Sequence, residues 1–305
     1  MGDPRFDVVG IGNAIVDIIG RCDDAFLKEH GSPKGHMQLV DAEMVAKLYD
    51  AMGPSVEISG GSVANSMAGI ASLGGKAAFI GKVGRDDFGK IFAHDIKAAG
   101  VTFETAPSTS NTPTARSLVL VTPDGERTMN TFLGVSPELG SGEIDAELIS
   151  ESAVTYLEGY LFDRDEAKAA FFEAAGFAKG AGRKVALTLS DGFCVDRHRD
   201  SFLSLIKNGV DIVFANEDEI KSLYSTNSFD DAAKQASLDT QLAVLTRSEK
   251  GSLVMEGDRT YAVDAFPVAQ VVDTTGAGDL FAAGFLHGYT QGLGHETSAR
   301  IGGCL

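Results

Sequence analysis

Short apolar runs recur along the chain, and segments with a helical pattern lie between them. The runs cover residues 6–10, 77–80, 154–157, 185–189, 212–215 and 242–245. Runs this short, with few charges, are typical of strands that are covered on both faces, as in parallel sheets. Between them, residues 86–99 place four large apolar side chains on one stripe, with Asp86 as a helix cap and Gly100 as a stop. The alternation of strands and helices predicts a layered α/β domain.

Two segments break this alternation. Residues 117–122 and 127–132 flank Pro-Asp-Gly-Glu at 123–126, which predicts a β-hairpin because these residues favour a reversal. The region 13–59 contains strand-like pieces and one clear helical pattern, near 42–52. We therefore expect residues 13–59 and 112–134 to form a small β-rich subdomain inserted into the α/β domain.

Composition narrows the class of protein. The 305 residues include 26 Lys and Arg against 43 Asp and Glu, a net charge of −17. Because clustered basic residues supply the affinity for phosphate backbones, nucleic acid is excluded as an expected partner. The three cysteines are widely spaced, the N-terminus lacks a signal-peptide pattern, and no run reaches membrane-spanning length. The sequence predicts a cytoplasmic protein with no membrane partner.

Two glycine-rich segments imitate phosphate-binding motifs. Gly10-Ile11-Gly12 follows a predicted strand, but Ile15 stands where a dinucleotide fingerprint requires its third glycine. Residues 84–91 reproduce the spacing of a P-loop as far as the lysine, but Ile91 has no hydroxyl for Mg²⁺. Neither segment is therefore expected to bind a nucleotide in the manner of those motifs.

A third segment fits phosphate chemistry better. Residues 273–281 read Asp-Thr-Thr-Gly-Ala-Gly-Asp-Leu-Phe, between an apolar run and an apolar helical pattern. Small residues at a helix start leave backbone N–H groups accessible to an anion, and the helix dipole adds positive potential there. Asp279 would lie beside this anion hole in the first turn. From the residues alone, it could equally serve as a helix cap.

Three motifs in this order resemble those of the ribokinase (PfkB) carbohydrate kinase family, across nearly the whole chain. Residues 273–281 resemble the second signature of the family, and residues 60–65 with 81–89 resemble its first signature. Residues 216–219, Asn-Glu-Asp-Glu, are similar to its NxxE element. The resemblance implies a three-layer α/β/α domain over residues 1–305, with a mainly parallel central sheet and a small β-rich lid.

The resemblance also assigns roles to residues at the reaction centre. It implies that Asp279 is the general base and that the amides of Gly276, Ala277 and Gly278 stabilise the transferred phosphoryl group. ATP and Mg²⁺ are the implied cofactors. Asn216 and Glu219 match residues that organise Mg²⁺ and phosphate, with Glu219 acting through water.

Further matches concern the ATP site. Residues 246–251 are similar to the TxGxxG loop of the family at the adenosine of ATP: Thr246 and Gly251 agree, whereas Ser248 replaces the first glycine. Asp273 and Thr275 match positions of a monovalent-cation site, which would take K⁺. Family members continue beyond the point matching residue 305 with a helix and a strand over the ATP base, so we expect those elements to be missing here.

Within the family, residues 12–17 look like the beginning of adenosine kinases, in which residues matching Asn13 and Asp17 lie at the ribose. The rest of the implied sugar site is Gly60, Gly61, Ser62 and Asn65. The implied walls of a base pocket are Ile15, Met37, Leu133, Tyr160 and Phe162. Arg127 matches an arginine that reaches the phosphates. Judged by residue type alone, Asn13 and Asp17 are also consistent with turn residues, and Arg127 with a solvated hairpin charge. The wall residues are by type also consistent with plain core side chains.

The expected reaction is ATP-dependent phosphorylation of the 5′-hydroxyl of a nucleoside, with adenosine converted to AMP in purine salvage. One alternative is a ribokinase-type kinase for a free sugar or sugar acid. A second alternative is a nucleoside-binding protein without catalytic activity. The partners expected are a small-molecule nucleoside and ATP, and the chain is expected to be a monomer or a homodimer.

Overall fold

The computed structural model describes residues 2–268 and 276–305. The strands are β1 (Phe6–Ile11), β2 (Ile15–Arg21), β3 (Met37–Leu39), β4 (Ser55–Gly60), β5 (Ala77–Ile80), β6 (Thr102–Phe103), β7 (Ala115–Val121), β8 (Arg127–Phe132), β9 (Ser152–Glu158), β10 (Lys184–Thr188), β11 (Ile212–Asn216), β12 (Leu242–Thr246), β13 (Ser252–Glu256) and β14 (Arg259–Val263).

The α-helices are α1 (Asp24–Glu29), α2 (Ala42–Ala51), α3 (Ser62–Ser72), α4 (Asp87–Ala98), α5 (Ala146–Ser150), α6 (Asp165–Gly180), α7 (Gly192–Gly209), α8 (Glu217–Leu223), α9 (Phe229–Asp239), α10 (Ala277–Thr290) and α11 (His295–Gly303). Short 3₁₀ helices cover Ser136–Glu138, Ser141–Glu143, Gly159–Asp163 and Ser248–Lys250. The helix predicted over residues 86–99 is α4, with the Asp86 side chain capping its first turn.

The larger sheet has nine strands in the order β14-β13-β12-β11-β10-β9-β1-β5-β6. Neighbours from β12 to β6 are parallel, whereas β13 and β14 are antiparallel additions at one edge. All six apolar runs singled out in the sequence lie in this sheet, so the predicted mainly parallel α/β fold is confirmed. Because parallel strands end at a common edge, their carboxyl ends bring residues 12, 158, 190 and 216 to one side of the domain.

Helices cover both faces of the larger sheet. On one face, α6, α7, α8 and α9 bury a core cluster against the strands. On the other face, α3, α4, α10 and α11 bury a second cluster. Alternate residues of β1 point into the two clusters, since Val8 belongs to one and Val9 to the other. The result is a three-layer α/β/α arrangement.

The smaller sheet has five strands in the order β3-β8-β7-β2-β4. Its strands come from residues 15–60 and 115–132, and the predicted hairpin is β7 and β8, joined through Gly125 at φ +87°. The helix predicted near 42–52 is α2, and its Val45 and Leu48 bury one face of the sheet together with Val16 and Ile18. The boundaries 13–59 and 112–134 of a lid subdomain stay a prediction.

The two glycine segments that imitate phosphate motifs have structural roles. After Gly12 the chain enters strand β2 rather than a helix, and a Cβ at Gly10 would lie 2.5 Å from Val63 Cγ1 of α3. A Cβ at Gly89 would overlap the carbonyl oxygen of Gly84. These glycines therefore allow close packing of α3 on β1 and of the loop before α4 on itself.

Glycine also allows α10 to lie against α11. A Cβ at Gly284 would lie 2.7 Å from the Cα of Gly302. We expect Gly284→Ala to lower the free energy of unfolding by about 1–3 kcal/mol, because the helices must separate to admit the methyl group. The matched control is Gly176→Ala, on an exposed part of α6 with open space around it. Urea denaturation should show the control unchanged or stabilised by about 0.5–1 kcal/mol; equal effects of both variants would contradict this packing argument.

Candidate active site

Asp279 lies in the first turn of α10, and two side chains of α3 hold its carboxylate. Ser62 Oγ donates to Oδ1 at 2.6 Å, and Asn65 Nδ2 donates to Oδ2 at 3.0 Å. Ser66 Oγ donates to the Asp279 main-chain oxygen at 2.9 Å. The side chain therefore does not cap the helix: the N-cap residue of α10 is Gly276, φ +76°, and no side chain caps it. Burial raises the pKa of Asp279, although the hydrogen bonds from Ser62 and Asn65 oppose this effect.

A cavity of about 510 Å³ opens beside this turn. Ala277, Gly278 and Asp279 line it at the start of α10. The residues that the sequence assigned to ATP line the same cavity: they are Asn216, Glu219, Thr246, Ser248 and Gly251. Because the first amides of an uncapped helix lack intrahelical acceptors, this end of the cavity suits an anion.

Asn216 and Glu219 form a capping box at the start of α8. Asn216 Oδ1 accepts from the Glu219 amide at 2.8 Å, and its Nδ2 donates to Glu219 Oε1 at 2.7 Å. The Asn216 amide donates to Glu219 Oε2 at 3.0 Å. Burial, which is the largest effect, raises the pKa of Glu219 to about 7, and its bond to Asn216 opposes the increase. The carboxylate is thus fixed at the cavity wall.

The loop at residues 246–251 departs from the glycine pattern at a conformationally demanding point. Thr246 lies beside Asn216 in the register of β11 and β12. Ser248 has φ +50°, a left-handed conformation that glycine adopts at lower cost. Gly251 has φ +78°, and a Cβ there would overlap the carbonyl oxygen of Val263. Serine therefore adopts the left-handed conformation at the position where the family pattern has its first glycine.

On the other side of Asp279, strand β2 presents Asp17 on the open face of the smaller sheet. A Cβ at Gly60 would overlap the Asp17 carboxylate, so a larger residue at this point of β4 would displace that carboxylate. Burial raises the pKa of Asp17 to about 7, the charge of Asp279 adds to this increase, and Arg127 opposes it. The three charged residues therefore belong to one electrostatic site.

The strand register places apolar side chains around Asp17. Residues directly opposite one another across a sheet share a face. One row of this face runs Leu39, Thr131, Ser117, Asp17, Ile58, and the next runs Met37, Met129, Val119, Ile19, Val56. Within these rows Met37, Leu39, Val56 and Ile58 are between 38% and 62% exposed. The open face thus combines one carboxylate with a broad apolar surface.

Asn13 and Gly61 lie together where β1 leads into β2. Gly61 has φ +106°, and a Cβ there would overlap the Asn13 carbonyl oxygen. Asn13 is buried and hydrogen-bonds to Glu158, the last residue of β9. Sequence reasoning missed Glu158, although its position after an apolar run at the carboxyl end of a parallel strand was an available signal. Burial raises the pKa of Glu158 to about 7, and its hydrogen bonds from Val63 and Asn13 oppose this.

The residues predicted as walls of a base pocket differ in how deeply they are buried. Ile15 lies opposite Gly60 in the register of β2 and β4, and both Ile15 and Leu133 are partly buried. Burial raises the pKa of the Tyr160 hydroxyl, which lies near Asp191. Phe162 was wrongly proposed as a wall: it is fully buried in the core, where its ring stacks on Phe202 with centroids 4.1 Å apart.

Asp273 and Thr275, the predicted monovalent-cation residues, lie outside the described residues, so that site stays a prediction. Within residues 2–268 and 276–305, no group of three or more His, Cys, Asp or Glu side chains is arranged to hold a metal ion. In the same ranges, no helix is long and apolar enough to cross a membrane.

Comparison with known proteins identifies the family. Residues 53–304 match the model of the pfkB family of carbohydrate kinases. The adenosine kinase from Sinorhizobium meliloti is 53% identical, with a TM-score of 0.90 over 98% of this chain and 92% of that one. A probable sugar kinase from Rhizobium etli is 50% identical, also with a TM-score of 0.90, over 98% of this chain and 91% of that one. Probable fructokinase-6, chloroplastic, from Arabidopsis thaliana is 33% identical over 236 residues, 74% of this chain but 61% of that protein.

The chain therefore belongs to the pfkB family of carbohydrate kinases, as the resemblance of its motifs predicted. It is a phosphotransferase with an alcohol group as acceptor, in the ribokinase-like fold. The names of its relatives span nucleoside and sugar kinases, so they leave the acceptor substrate open.

The raised pKa of Asp17 gives a stability prediction. Its ordinary value is 3.8 and its folded value about 7, so the folded state disfavours the ionised form and loses stability as pH rises between these values. We expect Asp17→Asn to raise the free energy of unfolding by about 1–2 kcal/mol at pH 8, and by less at pH 5. Urea denaturation at both pH values measures this. The exposed Asp200→Asn is the control, and an Asp17→Asn effect that does not grow with pH would contradict the prediction.

Proposed function

We propose that this chain transfers the γ-phosphoryl group of ATP to the 5′-hydroxyl of adenosine or a closely related nucleoside. The observation that carries the proposal is the open face of the smaller sheet. There Asp17 lies among exposed apolar side chains, with Arg127 close enough to influence its pKa. A nucleoside has the matching parts, because its ribose diol donates to a carboxylate and its flat base covers apolar surface.

Asp279 is the proposed general base. It lies between the cavity lined by Asn216 and Thr246 and the sugar side formed by Asp17 and Asn13. Its burial favours the proton-accepting role, since a raised pKa increases the basicity of the carboxylate. In this reaction the substrate hydroxyl gives its proton to Asp279 while its oxygen attacks phosphorus in line, and ADP leaves.

The remaining roles follow from position. The amides at Gly276, Ala277 and Gly278 stabilise charge on the equatorial phosphoryl oxygens, and Arg127 adds a positive charge from the lid side. The smaller sheet closes over the acceptor and excludes water, which suppresses ATP hydrolysis.

The donor cavity also suits magnesium held with the nucleotide. Its wall carries the fixed carboxylate of Glu219, and Mg²⁺ commonly binds through phosphates and waters with few protein ligands. Glu219 with Asn216 would hold the hydrated ion. Magnesium held there would neutralise part of the negative charge of the ATP phosphates.

A substrate comparison tests the acceptor assignment. With ATP as donor and ADP release as the readout, adenosine should give a kcat/KM at least about 100-fold above those of fructose and ribose. The physical reason is that a free sugar leaves the apolar surface at Met37, Leu39 and Ile58 uncovered. The similarity to fructokinase-6 makes a sugar kinase the second candidate, and a preference for fructose would establish it. Calorimetric binding of adenosine without any turnover would instead favour a binding protein.

Replacing the proposed base tests the mechanism. Asp279→Asn retains a hydrogen-bonding partner for both Ser62, whose hydroxyl can reverse its role, and Asn65. We expect kcat to fall by about 10²–10⁴-fold, while calorimetry shows adenosine affinity within a few fold of wild type. The control is the exposed Asp200→Asn. Wild-type turnover by Asp279→Asn would show that another group accepts the proton.

A further inference from the structure

The end of strand β9 carries a carboxylate whose hydrogen-bonding capacity is used inside the protein. Glu158 is 1% exposed. Its Oε2 accepts from the main-chain amides of Asn13 at 3.2 Å and Val63 at 3.1 Å. Its Oε1 accepts from Asn13 Nδ2 at 2.6 Å. Both oxygens are thus directed at the turn after β1 and at the first turn of α3, rather than at open space.

This contact determines which end of the Asn13 amide is free. Asn13 is 3% exposed, and its Oδ1 accepts no hydrogen bond from the part of the chain that the structure describes. Rotating the amide would bring that oxygen against the Glu158 carboxylate, and two acceptors at this separation repel each other. Glu158 therefore selects the orientation in which Nδ2 is bonded and Oδ1 is left without a donor. A buried acceptor in that state is unfavourable until a donor reaches it.

Asn13, which carries the free oxygen, adjoins the acceptor region. The Asn13 main chain packs against Gly61, which precedes the turn of α3 that holds Asp279 through Ser62. Four residues further along the chain, Asp17 faces the same region from β2.

We propose that Glu158 is a positioning residue that fixes the Asn13 amide with its oxygen toward the acceptor substrate, so that a substrate hydroxyl must donate a hydrogen bond there. The inference deepens the proposed function, on which it rests for the identity of the alcohol. It makes a definite statement about specificity: a substrate that carries hydrogen or an ether oxygen in place of this hydroxyl leaves Asn13 Oδ1 unpaired and binds more weakly.

Exchanging the two side chains tests this role. In Glu158→Gln, the new side-chain oxygen can keep the main-chain donors, but its NH₂ group then faces Asn13, whose amide turns and offers nitrogen to the substrate. In Asn13→Asp, two carboxylates face each other. We expect each single variant to raise KM for the alcohol about 10- to 100-fold, with KM for ATP unchanged. The double variant restores one amide–carboxylate pair with an oxygen toward the substrate, and its KM should return to within about threefold of wild type.

A purely structural role predicts a different result. Both KM values would then change together with thermal stability, and the double variant would be no better than the single variants; either outcome overturns the proposal. The matched control is Glu143→Gln, which alters a partly buried carboxylate paired with Lys82 at 2.9 Å elsewhere in the domain. It should leave both KM values unchanged.

A second variant covers the case in which Glu158→Gln does not fold. Asn13→Ala leaves the main-chain donors to Glu158 in place and removes the free oxygen. With 2′-deoxyadenosine and 3′-deoxyadenosine as probes, wild type should lose about tenfold in affinity for the analogue that lacks the donating hydroxyl. Asn13→Ala should bind that analogue and adenosine with equal affinity, because the oxygen that distinguishes them has been removed. Equal losses in both proteins for both analogues would overturn the proposal.

The outcome is separable from that of the proposed function. If wild type phosphorylates fructose or ribose and not adenosine, the nucleoside assignment fails. The exchange experiment is then made with the sugar that is turned over, and recovery of its KM in the double variant would still establish the role of Glu158.

Discussion

The hydrogen bonds from α3 to Asp279 join segments near the two ends of the chain at the residue proposed as the general base. Asn65 and Asp279 are 214 positions apart in the chain, yet their side chains lie 3.0 Å apart. Close packing of α3 on β1 through Gly10 and against α10 through Gly69 makes this approach possible. A burial-raised pKa at Asp279 follows from the same packing, because the helices that position the carboxylate also remove water from it.

Several carboxylates around the candidate active site are buried at a cost in free energy. Asp17, Glu158 and Glu219 each have a pKa raised to about 7, with burial as the largest cause. Such groups reduce the stability of the folded protein at neutral pH, so their retention is understandable where they serve binding or catalysis. In the proposed reaction, the first amides of α10 and Arg127 would supply positive potential to the phosphates locally, although the net charge of the chain is −17.

The two sheets contribute different parts of the site. The larger sheet fixes residues at the carboxyl ends of its parallel strands: Asn13 follows β1, Glu158 is the last residue of β9, and Asn216 is the last residue of β11. The smaller sheet is buried on one face by α2 and leaves the opposite face open, with Asp17 among apolar side chains. Under the proposed function, the larger sheet carries the groups for phosphoryl transfer together with one acceptor contact, Asn13, and the smaller sheet carries Asp17 and the apolar surface for the acceptor. The names of the relatives cover both nucleoside and sugar kinases.

Much of this molecule was determined by sequence alone. The short apolar runs predicted the strands of the parallel sheet, since burial on both faces requires them, and the turn chemistry at 123–126 predicted the hairpin. The residue types at 273–281 indicated Asp279 because they are typical of a helix start that binds an anion. Tertiary structure decided what depends on distant partners. Phe162 proved to be core because Phe202 stacks on it, and Glu158 emerged only when β9 was placed beside β1. Periodicity reports how a residue is covered, whereas the contacts that orient a side chain come from segments far away in the chain.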